Sequence, residues 1–516
     1  MNLIRDDWLH VEYLDGTLTK VSIRQAFIDA KKIKNIVSPT FHGVKVYIYD
    51  VPAIQLLVTI FEAAYFKPEN NFMAKNKYFS SNIMENGWDE NIILNYLDEW
   101  EYKFNLFDEK YPFFQDISLK TDKVDDTLGY LSRNSVIAPG FNNMIFEHTT
   151  ESNNEDYLSQ FKIKELDELV YILLYNLSMG TSPMPAQYAN KSFNANMTLF
   201  LVAQGKNLFE TIVSNSLPLR DSICDDELYD KPTWELNDYS EIKDFGAEIY
   251  KNRLLCTFLP IIPVYVVYDE TDNEIKNIII QGELVSFFKK EEVLELMTNY
   301  VRYNPWSIRV NDGKKDKSGN LKPDKYKQWT EYFKLMNLCI DATKKLPSGF
   351  TSNLLNPEFQ ENKDTNCTIY YRQFNNKKTV VLTLGAYSVE QDILKSIQKN
   401  ENTIKNAEQY QKINEKLMKE FKFYKSGIPK HVIRNAKIEF SKFSSDYFFH
   451  NFVPNIDSDD VVELAKKELV GYIKNILKKI SKTVRSPLKY AQAFNEYNKI
   501  LNNLLYPSQK EGEENG

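Results

Sequence analysis

Histidine and cysteine, the side chains that most often hold transition metals, number only five and four in 516 residues. The histidines (His10, His42, His148, His431, His450) never pair at ligand spacing, and no HExxH occurs. Cys224, Cys256, Cys339 and Cys367 lie far apart with no CxxC, which argues against a zinc site or disulfide framework and for reduced thiols. No P-loop is present: Gly205-Lys206 is followed by Asn207 and lacks the upstream glycine and the hydroxyl. Long apolar runs are also missing. The longest candidate, Val51 to Phe66, is interrupted by Pro52, Gln55 and Glu62 and reads as a buried helix, not a membrane span. The first eight residues contain no apolar signal-peptide core, so a cytoplasmic protein is expected, with idle sequons at Asn176, Asn196 and Asn366.

What the chain does have is 43% hydrophobic and 14% aromatic residues, enough for a large core divided into two to four domains. Its charge is uneven. The whole chain carries −7, yet residues 395–489 hold 20 Lys/Arg against 11 Asp/Glu, a net of +9. A concentrated basic segment suits a negative partner, nucleic acid first; a solvated lysine-rich helical face is the plainer alternative.

Hydrophobic patterning predicts an α+β fold: a large mixed domain over 1–387 with small sheets and long loops, a C-terminal four-helix bundle over 388–508, and a disordered tail over 509–516. Leu9 to Tyr13 and Leu18 to Val21 alternate around Asp15-Gly16, a hairpin signal, and Ser22 is placed to cap a short helix. Asp50–Tyr65, Ile92–Phe107 and Glu165–Leu177 read as helices, the first apolar nearly all round. Leu254–Val267 and Ile278–Phe288 read as strands, and Thr368–Phe374 with Thr379–Leu384 as a hairpin. The segment 179–196 reads as a long polar loop. Past residue 388, Val462, Ala465, Leu469, Ile473, Ile476 and Ile480 step at helical spacing, with Lys466, Lys467, Lys474, Lys478 and Lys482 mostly on other faces.

Catalytic constellations are scarce. Asp324, Glu361 and Lys363 spell the letters of a metal-dependent nuclease, but both stretches are polar and lack the core strands on which such residues converge. Lys289-Lys290 follow Phe287-Phe288, and lysines at a sheet edge can reach phosphates.

Several segments, in order, resemble the large subunit (CasA) of the type I-E CRISPR surveillance complex, Cascade. They are Asn2-Leu3-Ile4 with Trp8, Val21 to Phe27, Tyr111-Pro112-Phe113-Phe114-Gln115, Pro232-Thr233-Trp234, Gly385-Ala386-Tyr387 followed by Gln391, and Phe443 to Phe452. The resemblance implies a subunit without catalytic activity or cofactor. Its expected partners are the 5′ handle of the guide RNA, double-stranded target DNA read at the PAM, other Cascade subunits, and a helicase-nuclease recruited in trans. Gln391 falls where the family has a glutamine that wedges into the duplex. Lys289 or Lys290 falls at its minor-groove lysine, and Asn190-Lys191 at a loop that is glycine-rich in some members but has no glycine here. Asn134 to Asn143 corresponds to the loop contacting the RNA handle. Lys474, Lys478 and Lys482 are expected to steady DNA through phosphates. The alternative from another class is a scaffold protein whose basic bundle binds an acidic protein partner.

Overall fold

The structure is a computed structural model. It describes residues 1–41, 44–45, 50–70, 79–119, 165–179, 197–217, 230–237, 241–242, 252–259, 264–272, 274–280, 307–309, 366–374, 381–389, 405–406, 409–410, 412–414, 416–417, 430–456, 458–481 and 487–505. It is mixed helix and strand with small sheets, an α+β architecture. The chain divides into two compact units, the first Met1–Asp324 with Cys339–Gln391, the second Lys325–Leu338 with Asp392–Gly516.

The first unit opens with β1 (Leu9–Tyr13) and β2 (Leu18–Val21), paired antiparallel around Asp15-Gly16. Gly16 has φ +86°, a left-handed conformation that side-chain-bearing residues rarely adopt. Ser22 caps α1 (Ile23–Ile28), its side chain accepting from Gln25 N at 3.1 Å. β3 (Ile33–Ile36) pairs on the other side of β1, giving the order β2-β1-β3. β4 (Thr40–Phe41) and β5 (Val44–Lys45) form a separate short ladder. α2 (Asp50–Phe66) is buried on every face from Val51 to Phe66, as its all-round apolar sequence predicts. α3 (Phe79–Asn86), α4 (Glu90–Trp100) and α5 (Leu166–Met179) follow. The expected helix Ile92–Phe107 is shorter: α4 stops at Trp100 and Glu101–Phe104 tightens into a 3-10 turn. That turn brings the backbone to the N-terminus, where Leu3 N donates to Phe104 O at 2.9 Å and Leu106 N to Met1 O at 2.8 Å.

A four-stranded antiparallel sheet takes β6 (Met197–Gln204), β9 (Ser307–Arg309), β10 (Asn366–Phe374) and β11 (Val381–Val389) in the order β11-β10-β6-β9. The predicted 368–384 hairpin is thus present with longer arms. α6 (Leu208–Asn215) is fastened to β6 by the Asn215 amide, which exchanges hydrogen bonds with the Ala203 backbone N and O, both at 2.9 Å.

One strand expectation is corrected. Leu254–Val267 begins as a helix, α7 (Arg253–Thr257); β7 (Val264–Asp269) starts only afterwards and pairs with β8 (Glu274–Ile280). The reason is distant in sequence. The Asp230 carboxylate accepts from Arg253 N at 3.1 Å and Leu254 N at 2.8 Å, satisfying the first amides of a helix that local β-propensity disfavours.

In the second unit, helical residues between 405 and 417 accompany three long helices: α8 (Lys430–Tyr447), α9 (Val461–Ser481) and α10 (Pro487–Leu505). Pro487 occupies the first position of α10, where a missing N–H costs nothing. The predicted apolar stripe of α9 is inside: Val462, Ala465, Leu469, Ile473, Ile476 and Ile480 are all buried. α8 runs into a π-helical turn, Phe448–Phe452, which sets Phe448 and Phe452 against the Tyr410 ring at 5.2 and 4.5 Å. Phe443 stacks flat on Tyr472 at 3.7 Å.

Candidate nucleic-acid interface

Of the predicted contact residues, Lys474 and Lys478 lie within the described residues. Both are on α9, Lys474 half-buried and Lys478 exposed, off the apolar stripe as the spacing requires. Neighbouring lysines are partly occupied: Lys479 pairs with Glu439 at 2.7 Å, and Lys466 pairs with Glu463. Asn190, Lys191, Lys289, Lys290, Gln391 and Lys482 lie outside the described residues, as do Asn134 to Asn143 and the nuclease-like letters Asp324, Glu361 and Lys363.

The four-stranded sheet nevertheless fixes where the flanking strands begin and end. The polar segment holding Asn190 and Lys191 enters the sheet at Met197, which pairs with Gln373. The strand preceding Gln391 leaves it at Val389, opposite Cys367, which in turn pairs with Ala203. Met197 and Ala203 stand at opposite ends of β6, about 20 Å apart at the usual strand rise.

The segments that carry the family resemblance have a different task in the structure: they build the core of the first unit. Trp8 Nε1 donates to Leu3 O at 3.0 Å, and Asn2 Nδ2 to Glu101 O at 3.0 Å. Phe113 N donates to Asn105 O at 2.8 Å. Phe114 has φ +54°, the one non-glycine residue in the left-handed region among the described residues. That conformation lets Phe113 and Phe114 both turn inward, Phe113 stacking on Phe104 at 5.0 Å and Phe114 on Phe258 at 5.1 Å. Gln115 is buried and bonded through both amide atoms: its Nε2 donates to Leu106 O at 2.6 Å, and its Oε1 accepts from Val266 N at 2.8 Å. Trp234 closes the group, 5.3 Å from Phe104 and 6.1 Å from Phe114, its Nε1 donating to Tyr96 Oη at 2.8 Å while Tyr96 Oη donates to Glu235 at 2.7 Å.

Two charged features escape a sequence reading. Glu62 of α2 meets Arg253 at 3.1 Å in the core and also accepts from Leu217 N at 2.6 Å. Burial pushes the Glu62 carboxyl up against the pull of Arg253, and pushes Asp230 up to about 7 for the same reason. The second is Lys103, 6% exposed, whose Nζ donates to Leu236 O at 2.7 Å and sits 3.6 Å from the centre of the Tyr111 ring. Desolvation lowers its pKa to about 8. Neither has a local signature, because Arg253 and Leu236 lie more than a hundred residues away in the chain from the groups they meet.

Among the described residues no group of three or more His, Cys, Asp or Glu could hold a metal ion, and no helix is long and apolar enough to cross a membrane.

This α+β arrangement is one that solved CRISPR-associated proteins share. The chain is similar to Thermus thermophilus CasA (Cse1), with a TM-score of 0.63, 15% identity, and coverage of 98% of this chain and 99% of that one. Thermobifida fusca Cse1 gives 0.59 at 14% identity, covering 98% of each. A chain of a structure described as a CRISPR RNA-guided surveillance complex gives 0.54 at 12%, covering 97% and 99%. No curated protein sequence matches. The sequence model of the family described as CRISPR-associated protein Cse1 matches residues 2–253. Residues 2–253 thus match the Cse1 family in sequence and the chain shares the Cse1 (CasA) fold along 98% of its length, which together support the large subunit of type I-E Cascade.

Proposed function

We propose that this chain is a non-catalytic, nucleic-acid-binding subunit of a type I-E Cascade in the cytoplasm. It recognises the PAM of invading double-stranded DNA, helps open the duplex and recruits the helicase-nuclease. The observation that carries this is the family match over residues 2–253 together with the Cse1 fold along 98% of the chain. In this reading base pairing reads the target, while the protein reads the PAM and the shape of the duplex.

The roles divide along the chain. Asn134 to Asn143 hold the 5′ handle of the guide RNA. Asn190, Lys191 and Lys289 or Lys290 approach the minor groove, and Gln391 wedges beside the PAM, where a planar amide can replace a base-pair edge. Domains span 1–387 and 388–508, with 509–516 as a tail; the second is a four-helix bundle that presents Lys474, Lys478 and Lys482 to phosphates. The division into two compact units, with the first ending at Gln391, supports that arrangement.

The decisive experiment is expression with the other Cascade subunits and a guide RNA. Co-purification of the chain with the RNA, and retention of PAM-bearing duplex at low salt, are expected. A chain that neither joins the complex nor binds DNA at low salt contradicts the proposal and favours a scaffold with an acidic protein partner.

A further inference from the structure

We propose that the cleft between Lys103 and Lys110 in the first unit binds a phosphoryl group. It is walled by Tyr111, Phe114, Ser118 and Asn237, and its volume of about 90 Å³ suits several waters or one tetrahedral oxyanion. Both ammonium groups flank one aromatic ring, Lys103 Nζ at 3.6 Å and Lys110 Nζ at 4.8 Å from the centre of Tyr111. Lys103 spends one N–H on Leu236 O, and among the described residues no carboxylate lies within ion-pair distance of it. An ammonium has three donors, so a nearly buried lysine held this way keeps capacity for an acceptor.

The surrounding charges do not fill that capacity. Asp108 accepts from Lys110 N at 2.9 Å and Tyr111 N at 2.7 Å, and Asp116 from Ser118 N at 2.9 Å and Ser118 Oγ at 2.6 Å. Glu241 accepts from Asn237 N at 2.9 Å and from Lys231 at 3.4 Å. The rings of Tyr102 and Tyr111 also lie against Lys103, at 5.7 and 3.6 Å from its Nζ. Two lysine point charges suit a tetrahedral anion with several acceptor oxygens, whereas a planar carboxylate is better matched by an arginine fork. The backbone at Phe114 holds its left-handed conformation at the wall of this cleft, where local strain often marks a binding site.

Occupancy has a signature of its own. Lys103 is about half protonated at pH 8, and an anion beside it favours the charged form, so binding draws in a proton. The site needs nothing from the Cascade assignment. It is tested by calorimetry on the full chain at pH 8 in two buffers of different ionisation enthalpy. The probes are inorganic sulfate, which does not titrate there, and inorganic phosphate.

Saturable binding with uptake of about half a proton per sulfate is expected. Lys110→Met, an exposed change that leaves the fold intact, should weaken both anions at least fivefold; Lys103→Met should abolish the uptake. A single-stranded hexanucleotide that displaces sulfate and binds more than tenfold tighter identifies nucleic-acid phosphate as the source. One that does not compete identifies a free anion. Unsaturable heats, or affinity unchanged by Lys110→Met, overturn the proposal, and this holds even where Lys103→Met fails to fold.

Discussion

Arg253 and Glu62 form an ion pair at 3.1 Å inside the first unit, with side chains 8% and 5% exposed. The same guanidinium donates to Leu217 O at 3.0 Å and lies 5.4 Å from the Phe66 ring, while the Arg253 backbone N is held by Asp230. Two buried carboxylates therefore depend on one cation.

Removing that cation should be severe. Arg253→Met keeps the length and apolar packing of the side chain but strands Glu62 and Asp230 without a counter-charge. A loss of about 3–5 kcal/mol is expected, the usual consequence of breaking one side of a buried pair. Glu62→Gln, which keeps an acceptor for Leu217 N, should cost less. Urea unfolding followed by circular dichroism measures both; equal losses would show that the charge itself is unimportant.

The same pair sets a pH dependence. Asp230 has a folded-state pKa of about 7, raised from 3.8, so the native state holds a proton that the unfolded chain has released between those values. Its contribution is full below pH 3.8 and is lost as pH rises through 7. Glu62 is shifted in the same direction. The melting temperature should therefore rise as pH falls from about 8 to about 5. Below about pH 4 the sign reverses, because Asp29 and Asp167 are held below the usual range, Asp29 chiefly by Lys32 and Asp167 by His10 and Lys20 against its burial. Asp230→Asn should flatten the rise between about pH 5 and 8 while leaving the acid limb in place.

Gly205 offers a test of packing. It looks like a fragment of a phosphate loop, but its role is steric. A Cβ built there would lie 2.2 Å from the Glu210 Cβ and 2.8 Å from the backbone of Glu210 and Thr211, in the first turn of α6. Its N–H also donates to Thr211 Oγ1 at 3.0 Å. Gly205→Ala should destabilise the first unit by about 3 kcal/mol, since backbone must move to admit one methyl. A shift in thermal unfolding below about one degree would contradict this packing.

How far the sequence reveals the fold depends on where each cause lies. The Asp15-Gly16 hairpin and the Ser22 cap are legible because their causes are local. So are the all-apolar α2 and the α9 stripe. α7 reads as strand because its cap, Asp230, arrives from more than twenty residues away. The end of α4 at Trp100 depends on pairing with the N-terminus, which helical periodicity cannot show. Lys103 is one of 64 basic residues until folding brings Tyr111 and Leu236 against it. The motifs that resemble the family are legible as letters, yet Trp8, Phe114, Gln115 and Trp234 turn out to be core.

Neutralising Lys474, Lys478 and Lys482 together should weaken DNA binding to a similar degree for every sequence. Phosphate contacts position a protein and carry no base information. Every phosphate left without its lysine should reduce the steepness of log affinity against log salt by about 0.9. Lys474 and Lys478 are off the buried face of α9, so the variant should fold. Gel-shift titration at several salt concentrations with different PAM duplexes checks it; a changed PAM preference would contradict the assignment.

Gln391→Ala should separate DNA opening from RNA assembly. The residue follows β11 by two positions in sequence and is the last of the first compact unit. On the proposed role, in which Gln391 acts on the target duplex and not on the guide, the variant should join Cascade and hold RNA at wild-type levels. Losing the amide removes a group that can stack on or replace a base-pair edge, while every lysine is left in place. Opening of a PAM-bearing duplex, followed by 2-aminopurine fluorescence in the first target positions, should slow by about tenfold or more. Binding to a duplex already unpaired beside the PAM should be nearly normal, because that substrate no longer needs the wedge. Equal opening rates for the variant and the unaltered protein on fully paired DNA would remove Gln391 from the mechanism.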